Sequence, residues 1–171
     1  MTQNTDLPTH EEGVKKLGEL MKDIKFGMLA TIHEKGALRS RPMTLLQVEP
    51  NGNLWFLTGK NSLVVSEIEN DPRVNVAFSD TDGNTFVSIS GFGRFPDDPA
   101  KLKEVWNPIF RTWFPGGLDD PNVALLKIDV ECAEYWDSPH GAVRYLFGML
   151  TALATGKAPS TLGDHQKLDL K

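Results

Sequence analysis

The sequence has little of what many catalytic and structural classes depend on. A single cysteine among 171 residues, Cys132, excludes an internal disulfide and any cysteine cluster for zinc. No histidine stands near it, so it reads as a small buried hydrophobe rather than a reactive thiol. The histidines His10, His33, His140 and His165 are scattered, and none has metal-ligand spacing to another. A G-x-S-x-G nucleophile elbow is absent, as are the G-x-G-x-x-G and G-x-x-x-x-G-K-[ST] phosphate loops. No basic segment followed by an apolar run opens the chain, and no apolar run approaches the ~18–20 residues of a spanning helix. A cytoplasmic protein without a membrane partner is expected. Basic charge is also short: a formal charge of -5 and a pI near 5.3 argue against a nucleic-acid partner.

What is present suits one globular domain with a real core, since 40% of residues are hydrophobic and 24% charged, the balance of an ordinary folded chain. Thr9 and Glu12 form a capping box ahead of Val14, Leu17, Leu20, Met21 and Ile24, whose spacing is helical. Phe26, Met28, Ala30 and Ile32 then alternate as a strand, with a turn at Glu34-Lys35-Gly36. The runs MTLLQVE and LWFLT flank Pro50-Asn51-Gly52-Asn53, a hairpin signal. Asn61-Ser62 can cap a helix from Leu63 to Asn70, which Asp71-Pro72 stops. Val74–Ser79 and Phe86–Phe95 read as further strands, and Gly91 and Gly93 suggest a bulge or close backbone approach. Pro99 to Phe114 reads as one helix with Leu102, Val105, Trp106, Ile109, Phe110 and Trp113 on a single face. Val123–Val130 and Cys132–Trp136 give a last long strand interrupted at Glu131. Six strands with few helices and no βαβ alternation predict a small closed antiparallel barrel. Apolar helical spacing over Ala142 to Thr155 and a polar tail complete the chain.

The hairpin carries the candidate chemistry. Pairing its two arms would place Arg39 and Arg41 beside Thr58, Lys60, Asn61 and Ser62. Guanidinium forks, an ammonium and short hydroxyls can share the oxygens of a phosphate, and Ser62 would stand at a helix start, itself an anion site. The alternative from residues alone is a strand edge decorated with charge against aggregation. Trp106, Trp113 and Trp136 are either core or interface packing, or an apolar platform for a planar ring.

Beyond these local readings, the order and spacing of ATI, SRPM, LWFLT, S-x-x-x-x-E-I from Ser62 to Ile68, DPRVNVAF, VSISGFGR, WNPIFRTWFPGG, DDPNVALLKI and AEYWD resemble the pyridoxamine 5'-phosphate oxidase-like flavoprotein superfamily. Within it the chain is similar to the bacterial general stress protein 26 group. The resemblance implies a mainly β, α+β fold: a six-stranded antiparallel split β-barrel with peripheral helices that forms a homodimer. It implies an FMN site, with FAD the alternative, at the dimer interface. The domain layout is then a tail over residues 1–10, the FMN-binding barrel over 11–137, a helical extension over 138–156 and a disordered tail over 157–171. Carried over by position, Arg41 opens the FMN-binding strand, and Pro42, Met43 and Thr44 line the flavin ring. Leu57 and Thr58 match the pair on the next strand, Ser62 the phosphate serine with Lys60 its neighbour, and Trp136 a tryptophan reaching FMN from the other subunit.

Some positions depart from the family pattern. Leu63 and Val64 stand where many relatives carry a phosphate cation, Leu46 replaces a lysine of the vitamin-B6 oxidases, and DSPHGAVRY lacks their Arg-x-His spacing. The expected function is therefore a low-specificity flavin oxidoreductase of the general stress type, with NAD(P)H as electron donor, rather than a pyridoxamine phosphate oxidase. The alternatives are a non-catalytic flavin-binding or sensor protein, and a dimeric scaffold that has lost the cofactor. No acid or base and no metal ligand is assigned.

Overall fold

The computed structural model describes residues 10–137 and 164–169 of the chain. Thr9 of the expected capping box, the helix expected over Ala142 to Thr155 and most of the expected tail lie outside the described residues. The elements in chain order are α1 (His10–Met21), β1 (Phe26–Ile32), β2 (Leu38–Thr44), β3 (Gln47–Val48), β4 (Leu54–Gly59), α2 (Leu63–Asn70), β5 (Arg73–Asp80), β6 (Thr85–Arg94), α3 (Pro99–Val105), β7 (Val123–Asp137) and β8 (Asp164–Asp169). Two 3-10 turns, Pro108–Thr112 and Gly117–Asp119, lie between α3 and β7.

All strand pairs are antiparallel, in the order β2-β1-β5-β6-β7-β4-β3, with β8 added to β7. The ends of that path, β2 and β3, are joined by Leu45 and Leu46. The Leu45 amide donates to the Lys25 carbonyl beside β1 at 2.8 Å, and the Leu46 amide to the Trp55 carbonyl on β4 at 2.9 Å. Adjacent residues are only about 3.8 Å apart, so the two edges of the sheet must meet there. The sheet is thereby curled into an antiparallel split barrel.

The strand alternation seen in the sequence becomes an inward apolar face. Leu29, Leu54, Phe56, Val76, Phe78, Val87, Ile89, Leu126 and Ile128 are all buried, joined by Val14, Leu17 and Met21 from α1 and by Val64 and Ile68 from α2. At about 25 cal/mol per Å² of apolar surface, each such side chain contributes about 1.5–3 kcal/mol. Trp55 lies outside this cluster. It is buried beneath α3, with the ammonium groups of Lys101 and Lys127 5.3 and 5.2 Å from its ring centre.

The structure corrects several sequence expectations. The hairpin around Gly52 (φ 87°) is only two residue pairs long, Gln47 with Trp55 and Val48 with Leu54. The Arg39–Thr44 arm pairs instead with β1, because the chain changes edges at Leu45-Leu46. The helix expected over Pro99 to Phe114 ends at Val105. Asn107 is extended (φ -119°, ψ 134°) before Pro108, as the ring of a following proline requires. No residue of α3 or of the first 3-10 turn is buried, and Ile109 and Trp113 are exposed.

The interruption at Glu131 is a bulge within one continuous strand. The β6–β7 register passes from Ser90 with Cys132 to Gly91 with Val130, leaving Glu131 as the extra residue. Gly91 allows it, since a Cβ there would collide with the Asp129 carbonyl oxygen. Cys132 is half-buried, not fully buried. Part of the tail expected to be disordered, residues 164–169, is strand β8.

Candidate functional site

Helix α2 follows β4 and lies against β1, β4 and β6. It buries Val64, Glu67 and Ile68, the i, i+3, i+4 stripe of an amphipathic helix with a carboxylate in its middle. Glu67 is 4% exposed. Its Oε2 accepts from Thr31 Oγ1 at 2.6 Å and from Arg41 Nη2 at 2.6 Å, and its Oε1 from Arg39 Nη1 at 3.3 Å. Arg41 Nη1 also donates to Thr31 Oγ1 at 2.6 Å. A closed ring of Arg41, Thr31 and Glu67 thus ties β2, β1 and α2 together.

The strand register places these side chains together. Arg39 stands opposite Thr31 and Arg41 opposite Leu29. Directly opposed residues share a face, so both arginines lie on the side of Leu29, Thr31 and α2. Burial pushes the Glu67 carboxyl upward. The hydrogen bonds from Thr31 and Arg41 and the charges of Arg41 and Arg39 outweigh that push, so the group lies below its ordinary value and is ionised at neutral pH.

Two guanidinium groups against one carboxylate leave a net positive charge. Arg41 uses two of its N–H groups on Thr31 and Glu67, and a guanidinium has five donors in all. Five residues before Glu67, about 7.5 Å along the helix axis, Ser62 is the N-cap residue of α2 (φ -80°, ψ 155°), as the sequence expects. Its hydroxyl does not cap the helix but lies 3.0 Å from Thr58 Oγ1 at the end of β4. The first turn of α2 carries no acidic residue. The Val65 amide donates to the Ser62 carbonyl at 3.1 Å; the preceding amides of the turn and the hydroxyl pair are donors without a built-in anion. Lys60 is exposed and forms no ion pair among the described residues. It borders a groove of about 750 Å³ also lined by Glu69, Asp97, Asp98, Asp119 and Asp120.

Arg41, Thr58 and Ser62 are thus gathered around α2, although through the helix and not through hairpin pairing. Pro42 and Thr44 are exposed, and Met43 packs against the core. Thr44 lines a cleft of about 490 Å³ shared with α1. Leu57 is half-buried and paired with Leu125. Trp136 stands apart: it is 41% exposed near the end of β7, twelve residues beyond Ala124, the residue that pairs with Thr58. Sequence reasoning assigned no role to Glu67 or Thr31. Their only signal was indirect, as members of the S-x-x-x-x-E-I and ATI motifs.

Among the described residues, no three His, Cys, Asp or Glu groups are arranged for a metal, and no helix is long and apolar enough to cross a membrane. The fold and this site define an antiparallel split barrel with a cationic, hydroxyl-bearing corner at one helix start. The family described as pyridoxamine 5'-phosphate oxidase like matches residues 12–160, and the chain belongs to that family. Among solved structures, the general stress FMN/FAD binding protein from Xanthomonas citri is 36% identical, with a TM-score of 0.63, over 74% of this chain and 89% of its own. A candidate general stress protein 26 from Jannaschia sp. CCS1 is 26% identical, with a TM-score of 0.74, over 91% of this chain and 96% of its own. Protein bli-3 of Neurospora crassa is 27% identical over 169 residues, covering 93% of this chain and 80% of its own.

Proposed function

We propose that the chain is a homodimeric flavin-binding protein that anchors the phosphate of FMN, or the same group of FAD, at the corner formed by β2, the end of β4 and the start of α2. The observation that carries this reading is the donor set: guanidinium N–H groups of Arg39 and Arg41, the Thr58–Ser62 hydroxyl pair and the uncapped first turn of α2. Charge-assisted donors around a helix start suit a phosphate monoester. In this reading the exposed strand residues Pro42 and Thr44 lie alongside the ring, with Met43 and Leu57 supporting it from behind, and Lys60 supplies a further cation at the rim.

The dimer is supported by the position of Trp136. A flavin that touches Trp136 and is also held at the phosphate corner calls for a second copy, because on one chain Trp136 stands twelve residues along β7 from Ala124, the partner of Thr58. The outer face of the sheet offers an apolar surface for that copy in Phe26, Met28, Phe86 and Trp136, all exposed. Bound flavin supplies electron transfer. The residues of this chain bind the phosphate, orient the ring and cover its faces. In this reading the chain is a low-specificity flavin oxidoreductase with NAD(P)H as the electron donor.

One observation favours a binder without turnover: Arg41 and Glu67, the best-placed ionisable groups at the site, are committed to each other and offer no free acid or base. Purified protein should show flavin absorption bands, take up FMN in a fluorescence titration and have a dimer mass by light scattering. Anaerobic NADH or NADPH that bleaches the flavin supports the oxidoreductase; bound flavin without bleaching supports the binder. Failure to bind any added flavin refutes both.

A further inference from the structure

We propose that Glu67 is the positioning residue of the phosphate corner, gripping Arg41 and Arg39 by their inner N–H groups so that their remaining N–H groups face an incoming phosphate monoester. The inference rests on the flavin-binding reading above and adds to it a residue on the far side of the arginines from the ligand.

A carboxylate is an unusual choice for this place. Its neighbours on the buried face of α2 are Val64 and Ile68, and a buried ion pair is commonly matched or bettered in stability by apolar side chains of similar volume. Stability alone therefore does not explain Glu67. Its partners do: both carboxylate oxygens are used, and every donor to them comes from β1 or β2. Thr31, with no exposed surface, bridges the Arg41 and Glu67 side chains through one hydroxyl. A long guanidinium side chain loses much rotamer freedom when it is immobilised. Here that ordering is in place before any ligand arrives. The anion consequently meets a preformed fork instead of a mobile one, at the cost of one neutralised charge.

Charge and position predict opposite outcomes, which makes the inference testable. Glu67→Gln makes the corner more positive, so a purely electrostatic role would tighten FMN. A positioning role predicts an FMN Kd raised about tenfold, the loss of one charge-assisted contact, with riboflavin, which lacks the phosphate, changed less than about twofold. Fluorescence titration of both flavins into the full chain reads the ratio. Thr31→Val, which removes the bridging hydroxyl, should shift the ratio in the same direction, and Thr31→Ser should restore it. An FMN-to-riboflavin ratio that is unchanged or moves toward tighter FMN in Glu67→Gln overturns the proposal. If that variant does not fold, equal ratios for Thr31→Val and Thr31→Ser overturn it. Wild-type protein that binds neither flavin overturns the flavin reading itself, and that result is distinct because it precedes any substitution.

Discussion

Replacing Arg41 by alanine removes the shortest cationic contact of a carboxylate that cannot reach water. Glu67 is 4% exposed and its bond to Arg41 Nη2 is 2.6 Å, whereas Arg39 holds it at 3.3 Å and is itself 43% exposed in its side chain. Removing one partner of a fully buried pair costs about 3–5 kcal/mol. The retained bonds from Thr31 and Arg39, and the 21% exposure of the Arg41 side chain, reduce this to about 2–3 kcal/mol. For a chain of this size that corresponds to a fall in Tm of roughly 4–12 °C.

The loss should also depend on pH, and its sign is determined. In the wild type the folded Glu67 carboxyl lies below its ordinary value of 4.5. The stability it contributes is therefore fully present above the ordinary carboxylate range and is lost as pH falls through the lowered value. Without Arg41, burial pushes the carboxyl upward against weaker opposition. The deficit of Arg41→Ala is then greatest near neutral pH and shrinks as acid protonates Glu67 in both proteins. Urea denaturation of the two proteins at pH 7 and near pH 4 measures this directly. A deficit below about 0.5 kcal/mol, the usual range for an inconsequential surface change, or one equal at both pH values would refute the ring of Arg41, Thr31 and Glu67 as a buried electrostatic unit.

Gly91→Ala should destabilise by about 3 kcal/mol or more, because the new methyl meets a backbone oxygen of β7 that cannot move without opening the sheet; a change within about 0.5 kcal/mol in thermal denaturation would contradict the bulge geometry. Trp136→Ala should weaken FMN and riboflavin to the same degree, since a ring contact does not distinguish them, and a loss confined to FMN in the titration would show that the indole belongs near the phosphate. Deleting residues 164–171 should uncover the edge of β7 at Cys132–Asp137 and increase association of the protein in light scattering. An unchanged scattering profile would contradict the pairing.

Much of the frame was legible because local signals and tertiary demands coincided. Ser62 and Asp71-Pro72 mark both ends of α2 by backbone chemistry alone, and the alternation in β1, β5 and β6 is the inward face of the barrel. Other features depend on the closed sheet. MTLLQV is one uninterrupted run of strand composition, and nothing local shows that it leaves one sheet edge at Leu45 and joins the other at Leu46. DHQKLD has little strand character; β8 forms because β7 outruns β4 and leaves an edge open. Pro108 did carry a break signal, but the helical spacing of the apolar residues around it masked the break. Glu67 is the most instructive case. On a short helix a glutamate suggests a solvated side chain, and only the packing of α2 against β1, whose neighbour β2 carries Arg39 and Arg41, reveals that it faces two arginines.

The fifteen residues of β7 serve two different neighbours on one side: β4 along Val123–Ile128 and β8 along Cys132–Asp137, with the bulge at Glu131 between them. The strand is therefore split into two stretches that can open separately. In amide hydrogen exchange the β8 ladder should lose protection by a local opening that leaves β4, β6 and the barrel closure intact, whereas the amides shared by β4 and β7 should exchange only with global unfolding. The outermost strand can thus be peeled away without disturbing the corner that holds Arg41 and Glu67.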